Sequence, residues 1–202
     1  MSHPSATIAN AVWPTTANNT LLRNVVLAVA GSALIAICAK IQVPMWPVPM
    51  TMQVFAVLLI GLAYGARLGF ATVLLYLAEG SIGLPVFANG GGFAYLAGPT
   101  GGFLLGFPLA ALVAGWLAER GWGRPMLQVF VASIIGIAII YVVGVPWLAN
   151  FYATAKGQTI DLALTNAFAN GMTPFLVGDL VKAALAAMIL PTAWKLLGSR
   201  KG

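Results

Sequence analysis

The sequence predicts an all-α integral membrane protein with six transmembrane helices, and composition and length are the observations that predict it. Of the 202 residues, 60% are hydrophobic and 7% are charged, and the mean hydropathy is +0.94. A soluble domain carries about 25% charged residues, so a soluble fold is excluded. The length allows about six helices of roughly 20 residues joined by short loops, and it leaves no room for a separate soluble domain.

The chain divides into a tail, a membrane domain and a short basic end. Residues 1–20 are polar and nearly uncharged, which predicts a flexible tail, and they lack the basic start and apolar run of a signal peptide. We expect the membrane domain over residues 21–197 and a basic tail over 198–202. The net charge of +6 is scattered, so we expect no nucleic-acid partner. One cysteine and one histidine exclude an intrachain disulfide and predict no metal site.

Apolar runs place the six helices in order along the chain. The predicted spans are 21–41, 51–64, 68–82, 100–117, 126–148 and from 173 to just before 195. The last span begins at Thr173-Pro174, and proline is favoured in the first turn of a helix. Residues 149–172 carry several Asn and Thr together with Lys156 and Asp161, and this composition predicts a polar loop.

Two segments contain too much proline or glycine to form a plain helix. Residues 43–53 hold three prolines within six positions, which predicts a stiff extended loop, either an interfacial connector or a lid. Residues 83–102 hold seven glycines. Irregular backbone at membrane depth is tolerated only where protein buries it or where it lines a cavity, and such segments mark transporter binding sites. A loop at the membrane surface is the alternative.

The basic residues are divided unequally between the two sides of a six-helix arrangement. The side richer in Lys and Arg is expected to be cytoplasmic. Lys40 and Lys156 fall on one side, Lys182 lies within a span, and seven fall on the other side: Arg23, Arg67, Arg120, Arg124, Lys195, Arg200 and Lys201. Both termini are therefore expected in the cytoplasm, with the irregular segments and the loop 149–172 facing outward.

Two charged residues lie inside the apolar sixth helix. Asp179 and Lys182 are three positions apart, so they share a helix face. Each charge near the bilayer centre is unfavourable by roughly 2.5–3.5 kcal/mol on insertion scales. A structural ion pair between helices is one interpretation. We favour a polar floor beneath an outward-facing pocket, because the neighbouring segments are broken rather than packed.

Small residues recur every fourth position on the first helix, at Ala28, Ser32 and Ala36. Such a stripe lets a second helix approach closely. That helix can belong to the same bundle or to a partner protein, and the pattern alone leaves both open.

Signatures of catalysis are absent from the sequence. It contains no GxxxxGK[ST], no HExxH and no GxSxG. We therefore expect no enzyme activity, and transport must be ion-coupled, facilitated or powered by a partner. The alternatives from other classes are an intramembrane enzyme with Asp179 and Lys182 as acid and base, and an ion or proton channel with Asp179 in its pathway.

Four segments occur in an order that is specific in combination, although each is weak alone. They are Val-Pro-Met-Thr-Met-Gln (48–53), Gly-Leu-Pro-Val-Phe-Ala (83–88), Gly-Pro-Thr-Gly-Gly (98–102) and Gly-Asp-Leu-Val-Lys (178–182). Together they resemble the BioY family, the biotin-specific S components of energy-coupling factor (ECF) vitamin transporters, over residues 21–197. The resemblance implies six helices in a bacterial cytoplasmic (inner) membrane with both termini inside, in agreement with the charge count.

The resemblance also implies a biotin pocket near the outer face, lined by Asn89, Asp179 and Lys182. Asp179 can accept hydrogen bonds from the ureido N–H groups of biotin, and Asn89 can donate and accept. Lys182 is either a cation for the biotin carboxylate or the counterion of Asp179. Further candidates for the pocket wall are Gln53, Phe87, Phe93 and Tyr95.

Partners follow from the same resemblance. S components work with a transmembrane scaffold subunit and two ATPase subunits, whose ATP hydrolysis reorients the S component, and no cofactor is implied in this chain. The stripe Ala28, Ser32 and Ala36 resembles the docking face on the first helix of S components. The alternative within this class is a solitary or homo-oligomeric biotin carrier without an ATPase module. Membrane lipid is the remaining expected partner.

Overall fold

The computed structural model describes residues 7–15 and 19–199, which are mostly helical. The helices are α1 (Ile8–Val12), α2 (Thr20–Lys40), α3 (Gln53–Tyr64), α4 (Ala66–Ser81), α5 (Phe93–Leu96), α6 (Gly101–Leu117), α7 (Met126–Lys156), α8 (Ile160–Gly171) and α9 (Leu176–Ser199). Two short strands, β1 (Gln42–Val43) and β2 (Met50–Thr51), form an antiparallel hairpin. A π-helical turn, Ala118–Trp122, follows α6, and a 3-10 turn, Thr173–Phe175, precedes α9.

Four helical segments in the described part of the chain are long and apolar enough to cross a membrane. They are Thr20–Lys40, Gly101–Trp122, Met126–Lys156 and Ile160–Leu197. Helices α3 and α4 have 12 and 16 residues, so at about 1.5 Å per residue each is shorter than the ~30 Å hydrocarbon core. A mostly helical protein with several apolar, membrane-length helices is thus confirmed.

Helix α6 lies at the centre of the bundle. It packs most extensively against α7 and also contacts α3 and α4. Glycine makes these approaches possible. A Cβ on Gly61 of α3 would lie 2.6 Å from the carbonyl oxygen of Ala111, and a Cβ on Gly102 would lie 2.2 Å from the side-chain Cβ of Trp147. Because lipid supplies no hydrophobic driving force for helix association, membrane helices rely on van der Waals packing, which small residues at the crossing make possible.

Gly61→Ala is expected to destabilise the protein by about 1–3 kcal/mol, because the added methyl meets backbone rather than a movable side chain. The melting temperature in detergent measures this. Ala33→Val, which adds bulk at an exposed position of α2, serves as the control. A Gly61→Ala variant that melts with the wild type would show that the close α3–α6 contact is dispensable.

The glycine-rich stretch is irregular, as its composition predicts, and side chains from three helices hold its carbonyl groups. Lys40 Nζ donates to the oxygen of Phe87 at 2.6 Å, and Tyr76 Oη donates to that of Val86 at 3.0 Å. The indole of Trp147 donates to the oxygen of Gly98 at 2.9 Å. These bonds satisfy backbone groups that no regular helix or sheet pairs, as irregular backbone within a bundle requires.

The predicted polar loop over residues 149–172 is wrong, because this segment is helical. Helix α7 continues to Lys156, and α8 begins at Ile160 after a turn at Gly157, whose φ is +62°. Along α8 a buried face of small residues recurs every fourth position, at Ala163, Ala167 and Gly171. Their packing against α7 stabilises a helix whose exposed side carries both apolar and polar residues, and tertiary packing of this kind overrides local composition.

Part of the predicted flexible tail is ordered. Thr7 caps α1, since its Oγ1 accepts a hydrogen bond from the backbone N–H of Asn10 at 3.4 Å. Thr7 and Ala9 are buried, and Arg23 Nη2 of α2 donates to Asn10 Oδ1 at 2.8 Å. Residues 1–6, 16–18 and 200–202 lie outside the described residues, and with them Arg200 and Lys201 of the predicted basic tail.

Candidate ligand-binding site

A cavity opens at the end of the bundle that carries the hairpin and the glycine-rich stretch. It contains about 570 Å³ of space between atoms, its mouth included. The polar side chains lining it are Thr51, Gln53, Tyr95, Thr100, Tyr141, Asp179 and Lys182, and its apolar wall includes Val48, Leu104, Phe103, Phe107, Ile140 and Phe175. A mostly apolar wall with a few convergent polar groups is typical of small-molecule sites.

The floor of the cavity is a carboxylate held by two donors. Lys182 Nζ donates to Asp179 Oδ1 at 2.8 Å within α9, and the Tyr141 hydroxyl of α7 donates to Oδ2. Asp179 and Lys182 are only 5% and 4% exposed. Because each carboxylate oxygen has a second lone pair, Asp179 can still accept hydrogen bonds from a ligand while its orientation stays fixed.

A second polar group comes from the start of α3. The Gln53 side chain donates from Nε2 to Tyr76 Oη at 2.5 Å, and its Oε1 accepts from Thr51 Oγ1 of β2 at 2.9 Å. The Gln53 backbone N–H donates to the same Thr51 oxygen at 3.2 Å. These bonds fix the amide at the cavity wall, and Gln53 retains one N–H and one lone pair for a ligand.

Tyr95 of α5 brings an aromatic face to the cavity. Its ring stacks on Phe87, with centroids 5.2 Å apart and an interplanar angle of 27°, and Phe87 in turn packs edge-on against Tyr76 at 5.5 Å. Burial raises the pKa of the Tyr95 hydroxyl above its usual value. The arrangement provides a rigid aromatic wall with a polar end.

The proline-rich hairpin forms one side of the cavity mouth. Val48 and Pro49, in the loop that joins β1 to β2, line the cavity. The Lys156 ammonium, at the end of α7, lies 3.9 Å from the ring centroid of Trp46, a cation–π contact between hairpin and bundle. This placement favours the lid interpretation of the segment over a bare connector.

The predicted site residues fall into two groups. Gln53, Tyr95, Asp179 and Lys182 line the cavity together. Asn89, Phe87 and Phe93 do not line it. Asn89 is exposed and accepts a hydrogen bond from Gln42 Nε2 at 3.1 Å, Phe87 is fully buried behind Tyr95, and Phe93 is 76% exposed.

Sequence reasoning missed Tyr141, which bonds directly to Asp179. The signal was a single hydroxyl-bearing residue within the otherwise apolar run 137–145 of the fifth predicted helix. Phe103 and Phe107 of the cavity wall carry no such signal, because aromatic residues four apart in an apolar helix are typical of any membrane bundle.

A family model described as the BioY family matches residues 9–199 of the sequence. The chain belongs to the BioY family. The match takes in every cavity residue named above, and the resemblance predicted from the four segments is confirmed.

Individual relatives agree with this assignment. A "Probable biotin transporter BioY" from Pyrococcus horikoshii is 42% identical over 158 residues, which cover 78% of this chain and 87% of that protein. A "Biotin transporter BioY" from Thermotoga maritima is 40% identical over 170 residues, covering 83% and 94%. These BioY relatives are named as transporters, which agrees with the expectation that this chain is not an enzyme.

The fold has a solved counterpart. The crystal structure of the S-component for biotin from an ECF-type ABC transporter superposes with a TM-score of 0.71 at 22% identity, covering 90% of this chain and 95% of that one. At this identity the likeness establishes the fold.

The central residue of the small-residue stripe in this BioY-family chain, Ser32, faces α4. Ser32 is 1% exposed and its hydroxyl donates to Glu79 Oε2 of α4. Ala28 and Ala36 are half-buried. Ser32 therefore has the environment expected of internal packing. Docking of a partner helix through the stripe stays a prediction, and only Ala28 and Ala36 are accessible enough to contact such a helix.

Tyr141→Phe is expected to weaken ligand binding by roughly five- to tenfold, since one hydrogen bond to a carboxylate is lost while the ring still fills its place. Titration with the ligand proposed below measures the loss. Tyr64→Phe, which alters a hydroxyl at the far end of the bundle, is the matched control. Unchanged affinity in Tyr141→Phe would show that the phenol does not position Asp179 for binding.

Proposed function

We propose that this chain is the biotin-binding membrane subunit of a vitamin uptake transporter, capturing biotin at the outer face and delivering it inward. The observation that carries the proposal is the cavity whose floor is a buried carboxylate held by Lys182 and Tyr141. The names of the BioY relatives support biotin as the substrate.

The functional groups of biotin match the lining of the cavity. Its ureido ring has two N–H donors and one carbonyl acceptor. We infer that Asp179 accepts from the N–H groups and that the free N–H of Gln53 donates to the carbonyl. The thioether ring and the aliphatic chain pack against Phe103, Phe107 and the ring of Tyr95.

We assign Lys182 the role of counterion to Asp179. Its ammonium is 2.8 Å from Asp179 Oδ1 and the residue is 4% exposed, so its charge is already matched within the floor. The biotin carboxylate then points toward the mouth, formed by the hairpin and the glycine-rich stretch. Asn89, beside the cavity residue Ala88 and bonded to Gln42, acts at this mouth rather than on the floor.

We further propose that the helical domain crosses the membrane six times with both termini in the cytoplasm. The basic residues support this orientation. Arg23, Arg67, Arg120, Arg124 and Lys195 lie at the end of the bundle opposite the cavity, and the positive-inside rule places that end in the cytoplasm. The cavity then opens to the outside, where a scarce vitamin has to be captured. The two shorter helices, α3 and α4, complete the six crossings.

Energy for inward delivery comes, in this proposal, from an ECF scaffold subunit and two ATPase subunits. The chain has no nucleotide-binding P-loop of its own, and the solved structure with the same fold is that of an S-component for biotin from an ECF-type transporter. The outer side of α2, which exposes Leu22, Val26, Val29 and Ile37, offers an apolar surface for a scaffold helix beside the edges of the stripe.

Uptake of radiolabelled biotin by a biotin-auxotrophic bacterium without its own transporter tests this function. We expect uptake when the chain is expressed with a scaffold and two ATPase subunits, and loss of uptake when the ATPases carry inactive nucleotide sites. Equal uptake by the chain alone would favour the solitary carrier. No uptake with any combination, although the chain reaches the membrane, would contradict the transport function.

A further inference from the structure

A second cleft lies between α2 and α4 at the end of the bundle opposite the biotin cavity. It is lined by Arg23, Asn24, Val25 and Ala28 of α2, by Tyr64, Arg67, Leu68 and Ala71 of the α3–α4 region, and by Glu119. It shares no residue with the biotin cavity, and the proposed biotin function does not use it.

Arg23 is an unusual residue in this cleft because it is 3% exposed. Its Nη1 donates to Asn24 Oδ1 at 3.1 Å and its Nη2 donates to Asn10 Oδ1 at 2.8 Å, both neutral acceptors. Its Nε–H is buried without a hydrogen-bond partner. Among the described residues no carboxylate forms an ion pair with Arg23, so its positive charge is uncompensated, and this is costly in a buried site.

The second cation of the cleft is Arg67, at the start of α4. It is exposed, and no acidic side chain in the described ranges lies within ion-pair distance of it. Glu119 is the one acidic group lining the cleft. Its Oε1 accepts the hydrogen bond of the Ala66 backbone N–H at 2.9 Å, which caps the start of α4. The cleft therefore has two positive charges, on Arg23 and Arg67, and one negative charge, on Glu119, so its net charge is positive.

The remaining lining residues are apolar and continue away from the arginines. Val25 and Ala28 on α2 face Leu68 and Ala71 on α4. The two alanines keep the groove open where larger side chains would close it. Val25 is 52% exposed, and Val26 and Val29 beside it are also exposed, so the groove is continuous with the outward apolar surface of α2.

We propose that this cleft binds an anionic phospholipid, with its phosphodiester group between Arg23 and Arg67 and an acyl chain in the groove between α2 and α4. Arginine pairs phosphate oxygens through directed N–H bonds, and basic pockets between membrane helices are suited to anionic headgroups. The lipid supplies the negative charge that Arg23 lacks. The bound lipid also links α1 to the membrane surface, because Asn10 of α1 accepts a hydrogen bond from Arg23.

Native mass spectrometry of the full chain tests the proposal. The protein is released from detergent containing equal amounts of phosphatidylglycerol and phosphatidylcholine, and the retained lipid is counted. We expect at least five-fold preference for phosphatidylglycerol. Arg67→Gln should reduce that retention by about five-fold, the effect of one basic residue at a membrane surface. Arg120→Gln is the matched control, since Arg120 lies at the same end but stacks on Trp116 outside the cleft.

Three results would overturn the lipid site. Equal retention of the two lipids by the wild type, which needs no variant, would indicate only a general lipid annulus. Equal loss in Arg67→Gln and Arg120→Gln would indicate a diffuse surface charge. Displacement of phosphatidylglycerol by millimolar inorganic phosphate would show a site for a free anion. Biotin titration of the same samples keeps this test separate from the proposed function, because Arg67 is remote from the biotin cavity.

Discussion

Asp179→Asn is expected to weaken biotin binding by roughly 10- to 100-fold, the effect of about 1.5–3 kcal/mol for hydrogen bonds to a charged group. The amide is close in shape to the carboxylate, so it fills the same space in α9, although Lys182 loses its counterion and the stability falls as well. The amide is neutral, and its NH₂ end cannot accept from the ureido N–H groups or from Tyr141. Titration calorimetry in detergent measures the change in affinity.

The control for this variant is Asp161→Asn, an exposed carboxylate in the first turn of α8 on the same side of the bundle. Its affinity for biotin should match the wild type, which separates a local effect from a general change of surface charge. Wild-type affinity in Asp179→Asn would show that this carboxylate is not a ligand for biotin, and would return Asp179 and Lys182 to the role of a structural ion pair.

Lys182→Met is expected to lower both stability and affinity, because it leaves Asp179 buried without its cation. Removing one partner of a buried pair costs about 3–5 kcal/mol, and methionine fills the same space without charge. Since Lys182 acts here through Asp179, the affinities for biotin and for its uncharged amide should fall by the same factor. A comparative titration of the two ligands measures both losses.

The outcome separates the two roles that the sequence left open for Lys182. If biotin loses tenfold more affinity than its amide, the ammonium binds the biotin carboxylate directly and the counterion assignment is wrong. The double variant Asp179→Asn/Lys182→Met serves as the control. It removes both charges, so we expect it to recover part of the stability that Lys182→Met loses.

Most of the helices could be predicted because a membrane helix is visible in the sequence as a long run of apolar residues. The starts and ends of α2, α3, α4 and α6 fall within about two residues of the apolar runs. Helix α8 was not predictable by the same rule. Its exposed side mixes apolar residues with Asp161 and Thr165, and its stability depends on small residues that pack on α7, a tertiary effect that composition does not show. The β1–β2 pairing is likewise too short for a periodic signal.

The site was predictable where charge made it visible. Asp179 and Lys182 are recognisable as charges in an apolar helix, and the structure places both at the floor of the cavity. Gln53 ends one of the four family segments, Tyr95 lies in the glycine-rich stretch between two of them, and both also line the cavity. Asn89 and Phe93 lie in the same stretch, on either side of Gly90 and Gly92, whose φ values are +135° and +98°, and both are exposed and do not line the cavity. A motif gives the segment, and the backbone conformation decides which of its side chains face the ligand.

The most direct test of the proposed function is biotin binding by the purified protein in detergent, measured by titration calorimetry, with desthiobiotin, thiamine and riboflavin as comparisons. We predict tight binding of biotin and no comparable binding of thiamine or riboflavin. Folded protein that releases no heat with biotin, or that binds the other vitamins equally well, would contradict the assignment of the cavity as a biotin site.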